Sequence, residues 1–551
     1  MKLKINYGSH ALQAALLERS VRERIDLGEG ETLSVTLKTD PGMKPESYRV
    51  DAVPDGFEVT GADDLGLSFG IGKLLHYAVW TENSFAPKAT RGAVEPAGAF
   101  RAIYFSIHFY NWYQNAPEEE LKKYMEDLLL WGYNTIVLII PVVNSFSIGD
   151  EIFARNADKA KSVCVLAKKL GMKTGIIVGP NQGTKDSPHE FDADLSYDPL
   201  SKRGHAGRNL CINKPGAAEF MKRIYRAELE TFSGVGLDYI LTWPYDEGGC
   251  GCEKCRPWGA RGYLDAAKMI RECALPLFPD AKYIISTWFF DTPDTGEYEG
   301  LYERLKGDMS WVDAIMVDDP FGPTPEYVLT HDPVKPIVNF PEISMWKLFP
   351  WGGFGSNPMP ERFDEFHRIG KKVVSGGMPY SEGIYEDVSK IQWVGYYWDP
   401  ESDPKEILRE YMAYETAPEV ADEGLELLAC LERNHVLTGN QISPDPEDSR
   451  RAGELARIID GAIPEKRKKS WRWRVIYIRA LLDEKRHAYY FSHSNGTTDD
   501  LWLLRYYSGV FLARDAEAQK LLTELTELYH SSLPNGENQW TLPPVGGTTI
   551  P

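Results

Sequence analysis

From Phe100 onward the chain lays down eight short apolar runs, with helical stretches between many of them. The runs are Ala102–His108, Thr135–Val143, Lys173–Gly179, Asp238–Trp243, Lys282–Trp288, Ala314–Val317, Pro336–Asn339 and Lys372–Gly376. Apolar runs without polar alternation mark strands covered on both faces, as parallel sheets are. Amphipathic stretches such as Pro117–Trp131 and Pro215–Phe232 lie between them. Eight buried strands in βα alternation over roughly 290 residues predict an α/β fold, a (β/α)8 TIM barrel. A doubly wound sheet alternates too, but rarely needs eight strands with such varied loops. No Gly-x-Gly-x-x-Gly follows a strand, so a dinucleotide site has no support.

The flanks differ in pattern. Thr32–Lys38, Ser47–Val53 and Gly56–Gly61 read as strands and Leu67–Tyr77 as a helix, which predicts a small N-terminal α+β domain over 1–97. Residues 86–98, rich in Pro, Ala and Gly, read as its linker. The barrel then occupies 98–385. After it strands vanish, and Pro404–Tyr414, Pro418–Asn434, Asp448–Ala462, Glu465–Glu484 and Asp515–His530 read as helices. A C-terminal α-helical domain over 386–551, ending in a loose tail, is the expectation. This domain also offers a surface for a homodimer contact.

A net charge of −20 argues against nucleic acid or an anionic membrane as partner, since both call for basic surface. Met1-Lys-Leu-Lys-Ile-Asn-Tyr-Gly lacks the apolar stretch of a secretory signal, and no run of 18 or more apolar residues is present. The seven cysteines are an odd number, which suits a reducing compartment better than a disulfide scaffold. A cytoplasmic location follows as the expectation.

In a barrel of this kind the reactive groups stand at the C-terminal ends of the strands. Those positions hold His108 and Asn111, Asn144, Asn181, Asp246 and Glu247, Trp288 and Asp291, Asp318 and Asp319, Glu342, and Tyr380 and Glu382. The set is rich in carboxylates, amides and aromatics, and it lacks a serine nucleophile elbow. Carboxylate pairs walled by aromatics suit glycosidic bond cleavage: one acid protonates the leaving oxygen, and a second carboxylate acts as base or nucleophile. Any single Asp or Glu at a strand end is more commonly a helix cap or a solvated charge. Several converging on one rim carry the argument. Glu247 is the expected acid, with Asp246, Asp319 or Glu342 as its partner. Trp112, Tyr245, Trp288, Phe289, Trp346 and Tyr380 lie on the same side and could wall a sugar. Arg101 and Arg208 could bind a hydroxyl or carboxylate, salt bridging being the blander role.

The layout resembles that of family 20 glycoside hydrolases, the β-N-acetylhexosaminidases. The segment ESYRVDAVPDGFEVTGADDLGLSFGIGKLLHYA is similar to their N-terminal domain, and an Asp-Glu pair follows strand four. The same layout occurs in family 67 α-glucuronidases. RNLCINKP, DEGGCGCEKC and PYSEGIYED also resemble stretches of relatives such as the family 163 endo-β-N-acetylglucosaminidases. Of the family 20 signature His-x-Gly-Gly-Asp-Glu, only the two acids match, in Thr242-Trp-Pro-Tyr-Asp246-Glu247. The resemblance implies a glycosidase of hexosaminidase or glucuronidase type, and the long loops with the expected cytoplasmic location lean toward exo action on imported oligosaccharides. In the first, Glu247 is the acid and Asp246 orients a 2-acetamido group that attacks the anomeric carbon. In the second, Asp318 or Asp319 and Glu342 activate a water from the opposite face.

Cys250, Cys252 and Cys255 have C-x-C-x-x-C spacing, and Cys211 precedes the helix before strand four. Four thiolates would close a tetrahedral structural zinc site that pins the loop carrying Glu247. Free thiols in a Gly-rich loop are the alternative. No cofactor for the chemistry itself is expected. Two rival readings remain: a carbohydrate-binding barrel without catalysis, and a metal-dependent barrel hydrolase. The second calls for paired histidines after an early strand, where His108 stands alone.

Overall fold

The computed structural model describes the chain except for residues 108–110, 141–146, 197–207, 246–247, 293, 308, 318–321, 344–347, 350–355, 435, 438–445, 494–513 and 530–551. The loose tail expected at the C-terminus therefore lies outside the described residues.

The N-terminal segment forms a four-stranded sheet of β1 (Lys2–Asn6), β2 (Thr32–Thr39), β3 (Tyr48–Val53) and β4 (Gly56–Gly61), in the order β1-β2-β4-β3. β3 and β4 make an antiparallel hairpin, and the other pairs are parallel. Helix α1 (Ala11–Arg24) packs on α2 (Asp64–His76). The sequence patterns predicted three of these strands and α2, but not β1 or α1. The apolar positions of α1 are interleaved with charges, so its period is faint. Asp63 starts α2 by accepting from Gly66 N at 2.8 Å, and its other oxygen accepts from Glu46 N at 2.9 Å. Inside α2, Gly72 faces the barrel so closely that a Cβ there would lie 1.8 Å from Leu130 O.

The barrel comprises β5 (Phe100–Phe105), β6 (Thr135–Ile139), β7 (Lys173–Ile177), β8 (Tyr239–Thr242), β9 (Lys282–Ser286), β10 (Ala314–Val317), β11 (Ile337–Asn339) and β12 (Val374–Gly377). Every neighbouring pair is parallel, and β12 returns to β5 through Gly376↔Phe100 and Gly377↔Arg101, which closes the ring. A short extension, Tyr380–Ser381, then runs beside the end of β5. Among the described residues each strand is followed by a barrel helix, the first after a short helical turn at Trp112–Asn115: α3 (Glu118–Leu130), α4 (Glu151–Lys169), α5 (Ala217–Glu230), α6 (Gly262–Ala274), α7 (Glu297–Leu305), α8 (Glu326–Thr330), α9 (Pro360–Gly370) and α10 (Asp387–Trp398). The (β/α)8 barrel expected from the eight runs is thus present. Most strands are shorter than their runs; Trp243, Thr287 and Trp288, for example, belong to runs but lie beyond the ladder.

Arg101 sits at the N-terminal end of the barrel, fully buried. Its Nη2 meets Glu46 Oε2 at 2.6 Å, while Nε and Nη1 donate to Gly132 O and Gly98 O. Glu46 also accepts from Lys173 at 2.7 Å and Asn134 at 2.8 Å. These cations hold its carboxyl below the usual range despite burial. Arg101 therefore ties the N-terminal segment to the barrel floor, which is a correction to its candidacy for substrate binding.

The C-terminal part is helical, with α11 (Pro404–Glu415), α12 (Ala421–Arg433), α13 (Pro446–Ala462), α14 (Trp471–His493) and α15 (Ala516–Tyr529). The helix expected over 465–484 divides: a short turn of helix ends at Lys468, and α14 begins after Ser470, whose carbonyl accepts from Arg474 N at 2.9 Å. Ser is well suited to that starting position. Among the described residues no helix is long and apolar enough to cross a membrane.

Candidate active site

The C-terminal mouth of the barrel has an aromatic floor. Tyr104 near the end of β5 stacks on Tyr380, with ring centroids 5.2 Å apart and planes at 23°. Trp243, directly after β8, meets Tyr104 at 5.9 Å and Phe340 at 5.6 Å. Phe340, directly after β11, meets Trp288 at 5.2 Å and Tyr380 at 5.9 Å. Five rings from five strands thus form one connected cluster at the end of the barrel where substrates of such folds bind, four of them buried and Tyr380 partly exposed. Rings of this size offer flat apolar faces that suit the C–H face of a pyranose. Trp288 and Tyr380 were candidates on sequence. Tyr104, Trp243 and Phe340 were not, although Trp243 ends an apolar run and Phe340 directly follows one.

Carboxylates border this floor. Glu342 forms a parallel bridge with Tyr380, two residues beyond Phe340. Its charge is among those raising the Tyr380 phenol, after burial, Glu382 and Tyr104. Tyr380 Oη donates to Glu382 Oε1 at 3.0 Å. The Glu382 carboxyl is pushed up to about 8, first by burial and then by the charge of Glu386. Glu386 accepts from Glu382 N at 3.1 and 3.0 Å and is itself pushed up to about 7 by burial. Beneath them Lys390 of α10 is fully buried. Its Nζ donates to the Tyr113 and Tyr124 hydroxyls at 2.9 and 2.7 Å and to Gly383 O. Burial lowers its pKa to about 8, with Glu386 opposing that shift.

The loop after β8 is held from several directions. A Cβ on Gly248 would lie 2.0 Å from Pro244 O, and Gly249 has φ +132°, so the backbone doubles back in a way only glycine allows. Tyr245 is buried and donates to Glu297. Glu297 also accepts from Gly259 N at 2.6 Å and Asp291 N at 2.9 Å, and its own N donates to Asp291 Oδ1 at 2.8 Å. Burial pushes its carboxyl up to about 7. Phe289 and Asp291 adopt φ of +58° and +54°, which is uncommon for side chains of their kind. Strained backbone gathers where a surrounding structure fixes a functional loop. Glu297 joins the loops after β8 and β9, and only tertiary contact identifies it.

Several expected site residues serve this scaffold. Asn181 is fully buried: Nδ2 donates to Leu210 O at 2.8 Å and Gly249 O at 2.9 Å, while Oδ1 accepts from Gly249 N at 3.1 Å. Arg208 is engaged with Asp192 and, at 2.7 Å, with Ser187 O. Asn111 accepts from Tyr113 N and donates to Ser106 O at 2.8 Å, while Trp112 packs edge-on to Tyr124. The side-chain sulfurs of Cys211, Cys250, Cys252 and Cys255 all lie within 4.8 Å of one another. His108, Asp246, Glu247, Asp318, Asp319 and Trp346 fall outside the described residues.

No family model and no curated protein matches the sequence. Solved structures do share the fold. A family GH115 4-O-methyl-α-glucuronidase with specificity for decorated arabinogalactans is 13% identical, with TM-score 0.60, covering 98% of this chain and 77% of its own. A Clostridium perfringens GH89 protein in complex with GlcNAc-α-1,4-galactose is 11% identical, with TM-score 0.58 and coverages of 96% and 68%. A GH20 exo-β-N-acetylglucosaminidase from Vibrio harveyi is 12% identical, with TM-score 0.50 and coverages of 78% and 74%. The chain therefore has the architecture of barrel glycoside hydrolases, family 20 among them, and at these identities the likeness is one of fold.

Proposed function

We propose that this protein is an exo-acting glycoside hydrolase that removes a terminal sugar from an oligosaccharide or glycoconjugate. The observation that carries the reading is the five-ring aromatic floor with carboxylates at its edge, at the C-terminal mouth of a closed barrel. Neighbours of the same fold act on or bind glycans, the glucuronidase and the N-acetylglucosaminidase among them.

In this reading Glu247 donates a proton to the departing glycosidic oxygen. Tyr245, which donates to Glu297, and Gly248, packed against Pro244 O, flank the acidic pair in sequence and supply the anchors that this role calls for. Glu342 is the second carboxylate, placed after β11 and beside Tyr380. It attacks the anomeric carbon directly if the two carboxyls stand about 5–5.5 Å apart, and activates a water if they stand about 6.5–9.5 Å apart. Asp246 orients a 2-acetamido group if the sugar carries one. Asp318 and Asp319 follow β10 in sequence and are the alternative partners. Glu382 with its raised pKa is a neutral carboxyl at working pH, able to donate to a sugar oxygen. Seven free cysteines suit work in a reducing cytoplasm.

A panel of α- and β-nitrophenyl glycosides, including glucuronides and N-acetylhexosaminides, tests the reading. Release of nitrophenol from one of them, lost in Glu342→Gln, is the expected result. Sugar binding in calorimetry with no turnover on any substrate would instead define a carbohydrate-binding barrel. NMR of the first-formed anomer separates retention from inversion.

A further inference from the structure

Four of the seven cysteines converge on one point between the loops that follow β7 and β8, while Cys164, Cys273 and Cys430 sit in separate helices. Cys211, Cys250 and Cys255 are buried, and Cys252 is partly exposed. The Cys211 sulfur lies 3.7 Å from that of Cys252 and 3.9 Å from that of Cys255. These distances are much too long for disulfides, whose sulfurs stand ~2.05 Å apart. They match two edges of a tetrahedron, and the other sulfur pairs lie within 4.8 Å. With Zn–S bonds of ~2.3 Å, the edge between two sulfurs is about 1.63 times as long, or ~3.8 Å.

The surroundings fit a metal–thiolate group. Asn213 Nδ2 donates to Cys255 Sγ at 3.1 Å, the kind of contact that orients a ligand and offsets thiolate charge. Backbone bonds set each cysteine in place. Cys211 N donates to Phe191 O, Gly251 N to Asp194 O, and Gly262 N to Cys255 O. Asn181 bonds the carbonyls of Leu210 and Gly249, the residues just before Cys211 and Cys250. Side-chain amide and sulfur cluster therefore fasten the same two loops at successive positions.

We propose that Cys211, Cys250, Cys252 and Cys255 hold a structural zinc ion as four thiolates, and that this ion fixes the loop carrying Asp246 and Glu247. Binding releases the thiol protons and forms four Zn–S bonds, with no change of oxidation state. Four protein donors complete the tetrahedron and leave no position for water or substrate, so the ion's part is mechanical. Cys250 follows Glu247 by three residues. Tyr245 and Cys250 flank the acidic pair in sequence, so the ion and the Tyr245 bond would tether the chain on both sides of it. The metal site stands apart from the glycosidase reading; only the claim about the loop rests on it.

Metal analysis of full-length protein purified under reducing conditions without chelator is expected to find a single zinc per chain. Cobalt exchanged into the site should give thiolate-to-cobalt charge transfer and the intense visible bands of a tetrahedral ion. Cys252→Ser replaces the most exposed ligand and should abolish stoichiometric zinc. Asn213→Ala leaves all four ligands in place, and should weaken zinc about 10–100-fold in competition with a chelator. Metal-free protein whose cobalt titration shows no thiolate bands would overturn the site, as would unchanged zinc affinity in both variants. If stripping the zinc leaves turnover unchanged, the claim about the loop falls while the site stands. If no glycoside is ever cleaved but zinc is present, the proposed function fails and the site remains.

Discussion

The Tyr380 hydroxyl donates to Glu382 Oε1 across 3.0 Å, and the carboxyl it serves is nevertheless pushed up to about 8. Burial outweighs the hydrogen bond, and the neighbouring Glu386 adds like charge. Two carboxyls four residues apart on the rim of the barrel are thus held near neutrality by their surroundings.

This arrangement makes stability fall as pH rises. A carboxyl whose folded pKa lies above its unfolded value of about 4.3 stabilises the fold below that value. The contribution is lost as pH climbs through the folded pKa, here toward 7 for Glu386 and 8 for Glu382. Lys390, lowered to about 8, acts in the opposite sense only at higher pH, so the acids dominate from about pH 5 to 8. Urea midpoints of the native protein should fall over that window, each unit of upward shift that is realised costing about 1.4 kcal/mol of unfolding free energy. Glu382→Gln should lose part of that slope. Parallel slopes for the two proteins would show that Glu382 ionises normally.

Replacing either proposed catalytic carboxylate gives a second prediction. Glu247→Gln should slow cleavage of a substrate with a poor leaving group by about 10²–10⁴-fold, and slow a nitrophenyl glycoside much less. Glu342→Gln should slow both, since a second carboxylate acts whatever the leaving group. Full activity of Glu247→Gln on an unactivated glycoside would remove it from the acid's role.

The barrel was legible because its strands are buried on both faces. Segments such as Ile136–Ile139 carry no polar residue to blur the period. The strand ends were legible for the same reason, and Trp288, Glu342, Tyr380 and Glu382 were named from them. What the sequence hid is tertiary. Nothing local distinguishes Glu297, in the first turn of α7, from a solvated helix-start acid, yet it is fully buried under Tyr245. Asn181 and Arg208 looked like sugar ligands because amides and guanidinium groups at strand ends suit that purpose. Their hydrogen bonds go instead to loop backbone and to Asp192. Tyr104 and Phe340 were not singled out, because an aromatic ring in or just after a buried strand has the same composition whether it faces packing or a mouth.

The aromatic floor gives a third prediction. Trp243→Ala removes a ring that touches both Tyr104 and Phe340. Substrate KM should rise about tenfold or more, the equivalent of ~1.4 kcal/mol of binding. Trp243→Phe keeps a ring and should recover most of the loss. An unchanged KM in Trp243→Ala, measured by initial rates, would show that the floor is packing alone.

The last prediction concerns the opposite end of the barrel. Arg101 is fully buried and Glu46 is the carboxylate that answers it, at 2.6 Å. Removing one member of such a pair strands the other charge, which costs about 3–5 kcal/mol. Glu46→Gln should therefore destabilise strongly, because Lys173 loses its partner as well. Arg101→Met should cost less, since Glu46 keeps Lys173 and Asn134. In the double variant Glu46→Gln/Arg101→Met, the second change should restore part of what the first removes. Turnover per folded molecule should stay unchanged in all three, because the pair lies at the N-terminal end of the strands and the mouth at the other. Denaturant unfolding with active-site titration measures both quantities. A loss of turnover without loss of stability would place Arg101 in the chemistry after all.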